Sequence, residues 1–272
     1  MVDAAIGTLS GSEPASPFAH ACSAGVHLNV ANFLSKRTDL RGKAIIDLAC
    51  GDGRTTHLLR GLGATVATYD LFPEICKLDE RPQYADVQRA LPIADASADL
   101  VIFQEVIEHL PDQLFALQEI ARILKPGGEL FLTTPSRSSL ASRLSYLCFE
   151  SETLKATPWG ATDGVWLQDE AGTKKCYGHL WLMGIQQLRT LSRVAGFTSI
   201  RVERTEKSRS SVALMFVLYP LILLVSTRAL WRDLRSTRDA ERRREKIEQY
   251  KLNISPANLT NKFLIAVLHR SA

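Results

Sequence analysis

Short apolar runs alternate with amphipathic segments through the first half of the chain. The runs AIIDLA, ATVATYD, ADLVIFQ and ELFLTTP, at 44–49, 64–70, 98–104 and 129–135, are apolar enough for strands that are buried on both faces. A weaker strand is predicted at 84–87, and helices are predicted at 18–34, 54–62, 112–124 and, briefly, from Pro73. Repeated strand–helix units of this kind predict an α/β fold, an open parallel sheet with helices on both faces.

The second half of the chain is less regular. A helix at 186–195 and strands at 197–205 and 261–270 continue the sheet. Residues 136–181 are rich in Ser, Gly, Thr and Trp without a sustained period, and we expect loops and short helices over the carboxyl edge of the sheet, where such folds bind ligands. The pattern therefore predicts one domain at 18–272, with a helical insertion at 206–259 and a flexible leader at 1–17.

Composition narrows the class of protein. The chain has 272 residues and a net charge of +4, which is too small by itself to indicate a nucleic-acid-binding protein. Its five cysteines are scattered and contain no CxxC pair, so neither a disulfide framework nor a zinc site is indicated. The first residues lack the basic start and apolar core of a secretion signal. We therefore expect a cytoplasmic protein.

The stretch AIIDLACGDGRTTHLL indicates a ligand-binding turn between the first strand and its helix. Gly51 and Gly53 accept positive φ angles and carry no Cβ, so a ligand can lie against backbone N–H groups at the start of a helix. Asp70 ends the next strand, 23 residues after Asp47, where a carboxylate can accept both hydroxyls of a ribose.

Two further positions indicate which nucleotide binds. Asp86 follows the third strand and is placed to accept a hydrogen bond from an adenine amino group. Thr56 stands where the dinucleotide fingerprint GxGxxG has its third glycine, which argues against a cofactor with a pyrophosphate. Two other acids, Asp52 and Asp95, are interpreted as helix caps or surface charges.

Four motifs occur in the order DLACGDG, TYD, ADVQRALPIADASADLVIFQEVIEHLPD and LKPGGELFLTTP. Over 43–135 the chain resembles the class I S-adenosylmethionine-dependent methyltransferases, and it resembles them more loosely in GHLWL…LRTLSRVAGF and the terminal strand. The resemblance implies a Rossmann-like, seven-stranded, mostly parallel sheet whose last strand is antiparallel. It also implies S-adenosylmethionine as cofactor, bound by Asp47, Ala49, Gly51, Gly53, Asp70, Leu71, Asp86, Val87 and Gln104. Ala49 replaces the family's first glycine, and its methyl group slightly narrows the turn.

The candidate catalytic groups lie in QEVIEHLP, just past the fourth strand. Glu105, Glu108 and His109 resemble the ExxEH motif of quinone-biosynthesis O-methyltransferases and of small-RNA 2′-hydroxyl methyltransferases. The resemblance implies a divalent cation, Mg²⁺ or Mn²⁺, held by these three residues and by His179, which matches a downstream histidine. The alternative is a site without metal, in which Glu108 caps the next helix and His109 or His179 acts as general base.

The insertion combines an apolar and a basic part. VALMFVLYPLILLV, at 212–225, has fourteen uncharged residues and a proline expected to kink it, and 228–251 carries nine basic and five acidic residues. The apolar run is shorter than the roughly twenty residues of a spanning helix. The pattern favours a helix of 212–251 in a membrane interface, on the inner face of the membrane; packing in the core, a dimer contact and a membrane span stay open.

These observations predict an S-adenosylmethionine-dependent O-methyltransferase of a small or lipophilic acceptor, such as a quinone precursor or a lipid-linked sugar. Trp159, Trp166 and Trp181 would line or roof the acceptor site. The alternatives are an RNA 2′-hydroxyl methyltransferase and a non-catalytic cofactor-binding protein at a membrane, while Thr56 disfavours a nicotinamide oxidoreductase. Acids interleave the basic runs and stacking aromatics are lacking there, which disfavours a nucleic-acid partner.

Overall fold

A computed structural model describes residues 24–150 and 164–272, and all structural statements concern those residues. The strands are β1 Ala44–Leu48, β2 Thr65–Asp70, β3 Gln83–Tyr84, β4 Ala98–Gln104, β5 Leu124–Pro135, β6 Val165–Gln168, β7 Lys175–Tyr177, β8 Phe197–Val202 and β9 Phe263–Arg270. The helices are α1 Ala24–Leu34, α2 Arg54–Gly61, α3 Gln113–Ile123, α4 Leu140–Phe149, α5 Ile185–Val194, α6 Arg209–Ser236, α7 Ala240–Ile254 and α8 Pro256–Thr260.

Seven strands form one sheet in the order β3-β2-β1-β4-β5-β9-β8. The pairs β1–β2, β1–β4, β2–β3 and β4–β5 are parallel, and β9 is antiparallel to both of its neighbours. This topology confirms the predicted seven-stranded sheet with its last strand antiparallel. The strand order reverses between β1 and β4, which opens a crevice at the carboxyl edge, where ligands bind in open α/β sheets.

The central strands are mostly apolar because helices cover both faces of the sheet. In β4, Leu100 and Ile102 pack into a cluster that includes apolar side chains of α1 and α2. Val101 and Phe103 point the other way, into a cluster that includes side chains of α3 and α5. Burial on both faces fixes the register of the central strands, and with it the positions of the residues that follow them at the carboxyl edge.

Most predicted elements of the sheet domain have the expected positions, and β4 has the predicted bounds. The sixth strand ends at Val202 and not at Thr205, and the last begins at Phe263 and not at Asn261. Two other boundaries differ for a visible reason. The third strand ends at Tyr84 because the Asp86 carboxylate accepts the Gln88 backbone N–H (2.9 Å) and the chain turns there. The fifth strand begins at Leu124, before the glycines that were expected to precede it, and an irregularity in its pairing with β4 accommodates them.

The segment 136–181 contains two elements that the sequence did not specify. Ser139 caps α4 by accepting the Ser142 backbone N–H (3.2 Å), and β6 and β7 form an antiparallel hairpin. Residues 151–163, and with them Trp159, lie outside the described chain, as do the leader and the predicted helical residues 18–23. Four cysteines, Cys50, Cys76, Cys148 and Cys176, are free thiols.

Between β8 and β9 the chain forms α6, α7 and α8. α6 is a helix of 28 residues that continues through Pro220. It extends beyond the apolar run at both ends, and within the described chain it is the one helix that is long and apolar enough to cross a membrane, judged by length and composition alone. The apolar run 212–225 is therefore part of a longer helix, and a span stays open by length alone.

Candidate active site

The turn after β1 is held by the neighbouring strand. The backbone N–H groups of Ala49 and Cys50 both donate to the Tyr69 carbonyl of β2, at 2.8 and 3.2 Å. Gly51 and Gly53 have φ angles of +55° and +85°, in the region that glycine enters without a steric cost. Ala49 also lies there, at +61°, which costs a non-glycine residue about 1 kcal/mol. Replacing the family's first glycine therefore strains the backbone and does not merely narrow the turn.

The two glycines serve different purposes. A Cβ at Gly53 would lie 2.5 Å from the Leu78 Cγ atom, so packing of the chain against itself excludes a side chain there. A Cβ at Gly51 would meet nothing within 4 Å, so the space beside this residue is open to a ligand. α2 begins directly after the turn and brings its positive end to the same edge.

Two buried carboxylates lie beneath this turn. Asp47 accepts a hydrogen bond from the Thr56 hydroxyl (2.5 Å), and burial together with the nearby charge of Asp70 raises its pKa to about 7. Asp70 accepts the backbone N–H groups of Gly51 and Phe72, both at 2.8 Å, and burial raises its pKa as well. Two acids whose ionisation is disfavoured fit a ligand that brings positive charge and hydroxyl donors.

Gln104 ends β4 at the same edge. Its side-chain amide donates to the Thr55 hydroxyl of α2 (2.9 Å), which fixes the orientation of the amide across the crevice. Leu71 lies on the other side, between Asp70 and the buried Phe72, and is itself partly exposed. The structure therefore places Gln104 and Leu71 along the crevice into which the glycine turn opens.

The segment after β3 stays beside Asp70 because the Ala85 backbone N–H donates to the Asp70 carbonyl (2.9 Å). Asp86 is partly buried and lies 3.3 Å from Arg89. Val87 packs against the cluster that includes α3. Both residues lie at the predicted edge, although part of the Asp86 carboxylate is already engaged by its own turn.

Three of the predicted catalytic groups converge. Potential ligand atoms of Glu108, His109 and His179 all lie within 4.8 Å of one another. Glu108 is fully buried and accepts a hydrogen bond from the Thr134 hydroxyl (2.9 Å). The Nδ1 atom of His109 lies 2.8 Å from the Tyr177 carbonyl, which can only accept, so the proton of the neutral ring is on Nδ1. The unprotonated Nε2 then lies 3.9 Å from Glu108 Oε1.

The hairpin β6–β7 closes this cluster from above. Burial and the nearby His179 lower the pKa of His109 to about 4, so its ring is neutral near pH 7. The rings of His109 and His179 are 5.0 Å apart, and the Trp166 ring lies 4.9 and 5.0 Å from them. The described residues 164–181 lie over the carboxyl edge, as predicted for this segment. The Trp166 ring packs beside the two imidazoles.

Glu105 lies outside the group of three. It adopts a φ of +50°, and the Thr133 hydroxyl donates to its Oε1 atom (2.8 Å). Burial raises the pKa of Glu105 to about 7, although the nearby His179 lowers it in part. Of the four predicted metal ligands, the structure therefore brings together Glu108, His109 and His179. One carboxylate and two imidazoles, whose potential ligand atoms lie within 4.8 Å of one another, are a donor set that suits a divalent cation.

Comparison with known proteins decides the family. Residues 20–202, more than half of the chain, match the family model described as a methyltransferase domain. The chain belongs to the class I S-adenosylmethionine-dependent methyltransferases. The glycine turn, Asp47 and Asp70 lie at the carboxyl edge of this methyltransferase's sheet.

Curated relatives with measurable sequence identity match a smaller part of this chain than the family model does. The ubiquinone biosynthesis O-methyltransferase of Xanthomonas oryzae pv. oryzae is 35% identical over 126 residues, which are 42% of this chain and 52% of that protein. The protein of the same name from Xylella fastidiosa is 32% identical over 126 residues, 42% of this chain and 50% of that one. The chain thus spans about half the length of the curated relatives it matches.

Solved structures support the fold. A SAM dependent methyltransferase from Archaeoglobus fulgidus superimposes with a TM-score of 0.50, at 13% identity, over 90% of this chain and 94% of that one. At this identity the likeness concerns the arrangement of strands and helices and says nothing about the acceptor.

The two acids interpreted as helix caps or surface charges form ion pairs with nearby arginines in the methyltransferase. Asp52 pairs with Arg54 at 2.7 Å, and Asp95 pairs with Arg122 at 2.5 Å. Trp181 is 58% exposed and contacts the cluster through its backbone, whose N–H donates to the Glu108 carbonyl (3.2 Å). Of the predicted tryptophans in the described chain, Trp166 is the one whose ring meets the histidines.

Sequence reasoning missed the hydroxyl groups that orient three of the acids and the Gln104 amide. They occur as two pairs, Thr55–Thr56 at the start of α2 and Thr133–Thr134 at the end of β5. The signal was present, because adjacent threonines at a strand's carboxyl end lie at the ligand edge whichever face they point to. The carbonyl of Tyr177 left no signal, since any residue can provide a backbone oxygen.

Proposed function

We propose that the protein transfers a methyl group from S-adenosylmethionine to an oxygen atom of a small or lipophilic acceptor. The observation that carries this proposal is the adjacency of two sites at one sheet edge: the bare turn over Asp47 and Asp70, and the cluster of Glu108, His109 and His179. When bound, the cofactor supplies a methyl group already activated by its sulfonium, so the chain's own task is to hold and deprotonate the acceptor.

The cofactor's chemistry fits the turn. Asp70 retains acceptor capacity for the two ribose hydroxyls, and Asp47 is placed for the positive charges of the methionine end. Gly51 leaves room for the cofactor against the backbone, and Gln104 borders the sulfonium side. A positive charge beside Asp47 and hydroxyl donors beside Asp70 would each favour the ionised carboxylate, against the burial that raises both pKa values.

His109 is the group that takes the acceptor's proton. Its Nδ1–H donates to a carbonyl and its Nε2 is unprotonated, so it can accept a proton at Nε2. Burial and His179 disfavour the imidazolium that results, so it returns the proton readily, and the Glu108 carboxylate lies 3.9 Å from Nε2 as its counter-charge. The hydrogen bond at Nδ1 fixes the ring, so that Nε2 is held in place as the general base.

A divalent cation, Mg²⁺ or Mn²⁺, on Glu108, His109 and His179 is the second form of the same proposal. The three ligand groups that face one another support it. A cation there would supply Lewis acidity that lowers the pKa of an acceptor hydroxyl. Added chelator separates the two forms: a cation-dependent enzyme loses turnover and recovers it with Mg²⁺ or Mn²⁺, whereas a base-only enzyme is unaffected.

The name of the curated relatives and the position of the Trp166 ring support a class of acceptor. Ubiquinone biosynthesis O-methyltransferases act, by their name, in making a quinone, and Trp166 provides a flat apolar surface beside the two histidines. We therefore propose an acceptor of the quinone-precursor or lipid-linked sugar type, with a hydroxyl that meets His109.

Methyl transfer from labelled cofactor to a catechol, to a lipid-linked sugar and to RNA tests the proposal. His109→Ala should lower turnover at least about a hundredfold and leave S-adenosylhomocysteine binding unchanged. His57→Ala, on the exposed side of α2, is the matched control and should change neither. If RNA alone becomes labelled, the acceptor is RNA and not a small or lipophilic molecule. If the protein binds the cofactor but labels no acceptor, it is a non-catalytic protein.

A further inference from the structure

α6 has an apolar stripe that faces away from the protein. The side chains of this stripe recur at helical spacing and are between 57% and 82% exposed: Phe216, Val217, Leu221, Leu224 and Val225. Large apolar side chains that are exposed together on one helix face mark an interaction surface. The exposure also shows that, among residues 24–150 and 164–272, nothing buries this face.

The opposite face of α6 is fastened to the domain by polar contacts. Ser211 accepts the Ala141 backbone N–H of α4 (3.1 Å). The Tyr219 hydroxyl donates to the Ile254 carbonyl of α7 (3.2 Å), and the Asn253 side chain donates to the Ser226 hydroxyl (2.8 Å). These contacts fix the rotation of the helix, so the outward direction of the apolar stripe is a property of the fold.

The outward face becomes basic beyond Val225. Arg228 and Arg232 are exposed, and the Arg235 guanidinium lies 3.4 Å above the centre of the exposed Trp231 ring. The one acid of α6, Asp233, is turned toward α7, where Lys246 lies 3.6 Å away. The outward face therefore consists of an apolar half and a cationic half, with a tryptophan within the cationic half.

We propose that this outward face of α6 binds the surface of an anionic lipid bilayer, with the helix axis in the membrane plane. The apolar half would enter the boundary between headgroups and acyl chains, and the arginines would meet lipid phosphates, as interfacial amphipathic helices do. A second copy of the chain is a poorer occupant, because pairing of two such faces brings only positive charges together.

The structure also argues against a membrane span. The uncharged residues 210–227 would reach about 27 Å as a helix, close to the thickness of the hydrocarbon core. However, α7 runs along the inward face of α6, where Arg243 donates to the Leu234 carbonyl (2.6 Å), and the sequence of α7 includes ERRREK. Insertion of α6 across the bilayer would either drag these charges into hydrocarbon or break the contacts with α7.

Flotation of the full chain with lipid vesicles tests this proposal without cofactor or acceptor. We expect binding to phosphatidylcholine vesicles that contain about one quarter phosphatidylglycerol, and little binding to phosphatidylcholine alone. Phe216→Glu/Leu224→Glu should lower the bound fraction at least tenfold. The matched control is Leu28→Glu/Val194→Glu, which adds the same two charges at exposed apolar positions on α1 and α5 and should bind as the unmodified chain does.

A second variant pair tests the cationic half independently of any folding defect. Arg228→Gln/Arg232→Gln should weaken binding to the anionic vesicles by about fivefold for each arginine. The proposal is overturned if the chain does not float with anionic vesicles, if the glutamate pair floats unchanged, or if alkaline carbonate fails to extract the bound protein, which would indicate a span. If the chain forms a dimer in the absence of lipid, and Phe216→Glu/Leu224→Glu abolishes that dimer, the occupant of this face is a second copy of the chain and not a bilayer.

Discussion

At the scale of single residues, Ala49 shows how a departure from a family pattern affects the backbone. Its φ of +61° is close to that of Gly51, at +55°, in the same turn. Ala49→Gly should raise the free energy of unfolding by about 0.5–1 kcal/mol, because relief of left-handed strain exceeds the entropy that glycine adds to the unfolded chain.

Gly51→Ala is the mirror experiment. A Cβ at Gly51 meets no atom within 4 Å, so its cost is conformational alone, and we expect a loss of about 1 kcal/mol. Urea unfolding of both variants measures the two changes. If Ala49→Gly loses stability as Gly51→Ala does, the left-handed φ does not strain Ala49.

Asp47 predicts how the free protein responds to pH. Its pKa rises from 3.8 to about 7 on folding, so between these pH values the folded chain keeps a proton that the unfolded chain has released. This residue therefore makes stability fall as pH rises from about 4 to 7, and above pH 7 its contribution stays constant. Asp47→Asn should remove this part of the pH dependence, measured as the difference between the two unfolding profiles.

The same carboxylate links pH to cofactor binding. A ligand with positive charge next to Asp47 favours the ionised form, so affinity for S-adenosylmethionine should fall by up to about tenfold per pH unit below pH 7. Calorimetric titration at several pH values measures this. The Asp47→Asn variant should bind more weakly and with a flatter profile, and an equally steep profile would assign the proton to another group.

At the scale of elements, the strands were predictable where both of their faces are buried. β4 fills two clusters with the continuous apolar run 100–103, and that run places the strand in the sequence. β3 is two residues long and exposed, so the local hydrogen bond of Asp86 decides where it stops. Apolar patterns indicate burial and cannot locate a boundary set by one polar contact.

The hairpin β6–β7 was missed although its turn has sequence markers. Asp169 accepts the Lys174 backbone N–H (2.9 Å), and Gly172 has a φ of +66°. The strands on either side, VWLQ and KCY, are too short and too polar to show alternation. The element that carries Trp166 over the histidines therefore leaves no periodic signal in the sequence.

Gly172→Ala tests how far the hairpin positions the catalytic cluster. The new Cβ meets no atom within 4 Å, but the left-handed φ disfavours the turn. We expect turnover to fall several-fold, with a smaller effect on S-adenosylhomocysteine binding, because the Tyr177 carbonyl of the hairpin holds the His109 ring.

Gly42→Ala is the matched control for the hairpin. Gly42 has a φ of +80°, a Cβ added there would also meet no atom within 4 Å, and the residue lies before β1, far along the chain from the cluster. The substitution should lower stability by a similar amount, about 1 kcal/mol, without an effect on turnover. Equal turnover loss in both variants would assign the effect to general destabilisation.

At the scale of the whole molecule, one helix separates the candidate catalytic edge from the outward face of α6. β5 ends with the threonines that orient Glu105 and Glu108, and α4 begins five residues after Pro135. α4 in turn contacts α6 through Ala141 and ends with the exposed side chains of Leu147 and Phe149. The sequence showed that the insertion is apolar and basic, but only packing against α7 shows which face of α6 is outward.

A bilayer held at α6 would place membrane-embedded acceptors near the cluster of Glu108, His109 and His179. Phe216→Glu/Leu224→Glu should therefore lower turnover of a long-chain acceptor in anionic vesicles at least tenfold and leave turnover of a water-soluble short-chain analogue unchanged. Initial rates with the two acceptors, with and without vesicles, give the comparison. A loss with both acceptors would mean that the substitutions disturb the catalytic edge itself, whereas no loss with either would separate membrane binding from the delivery of the acceptor.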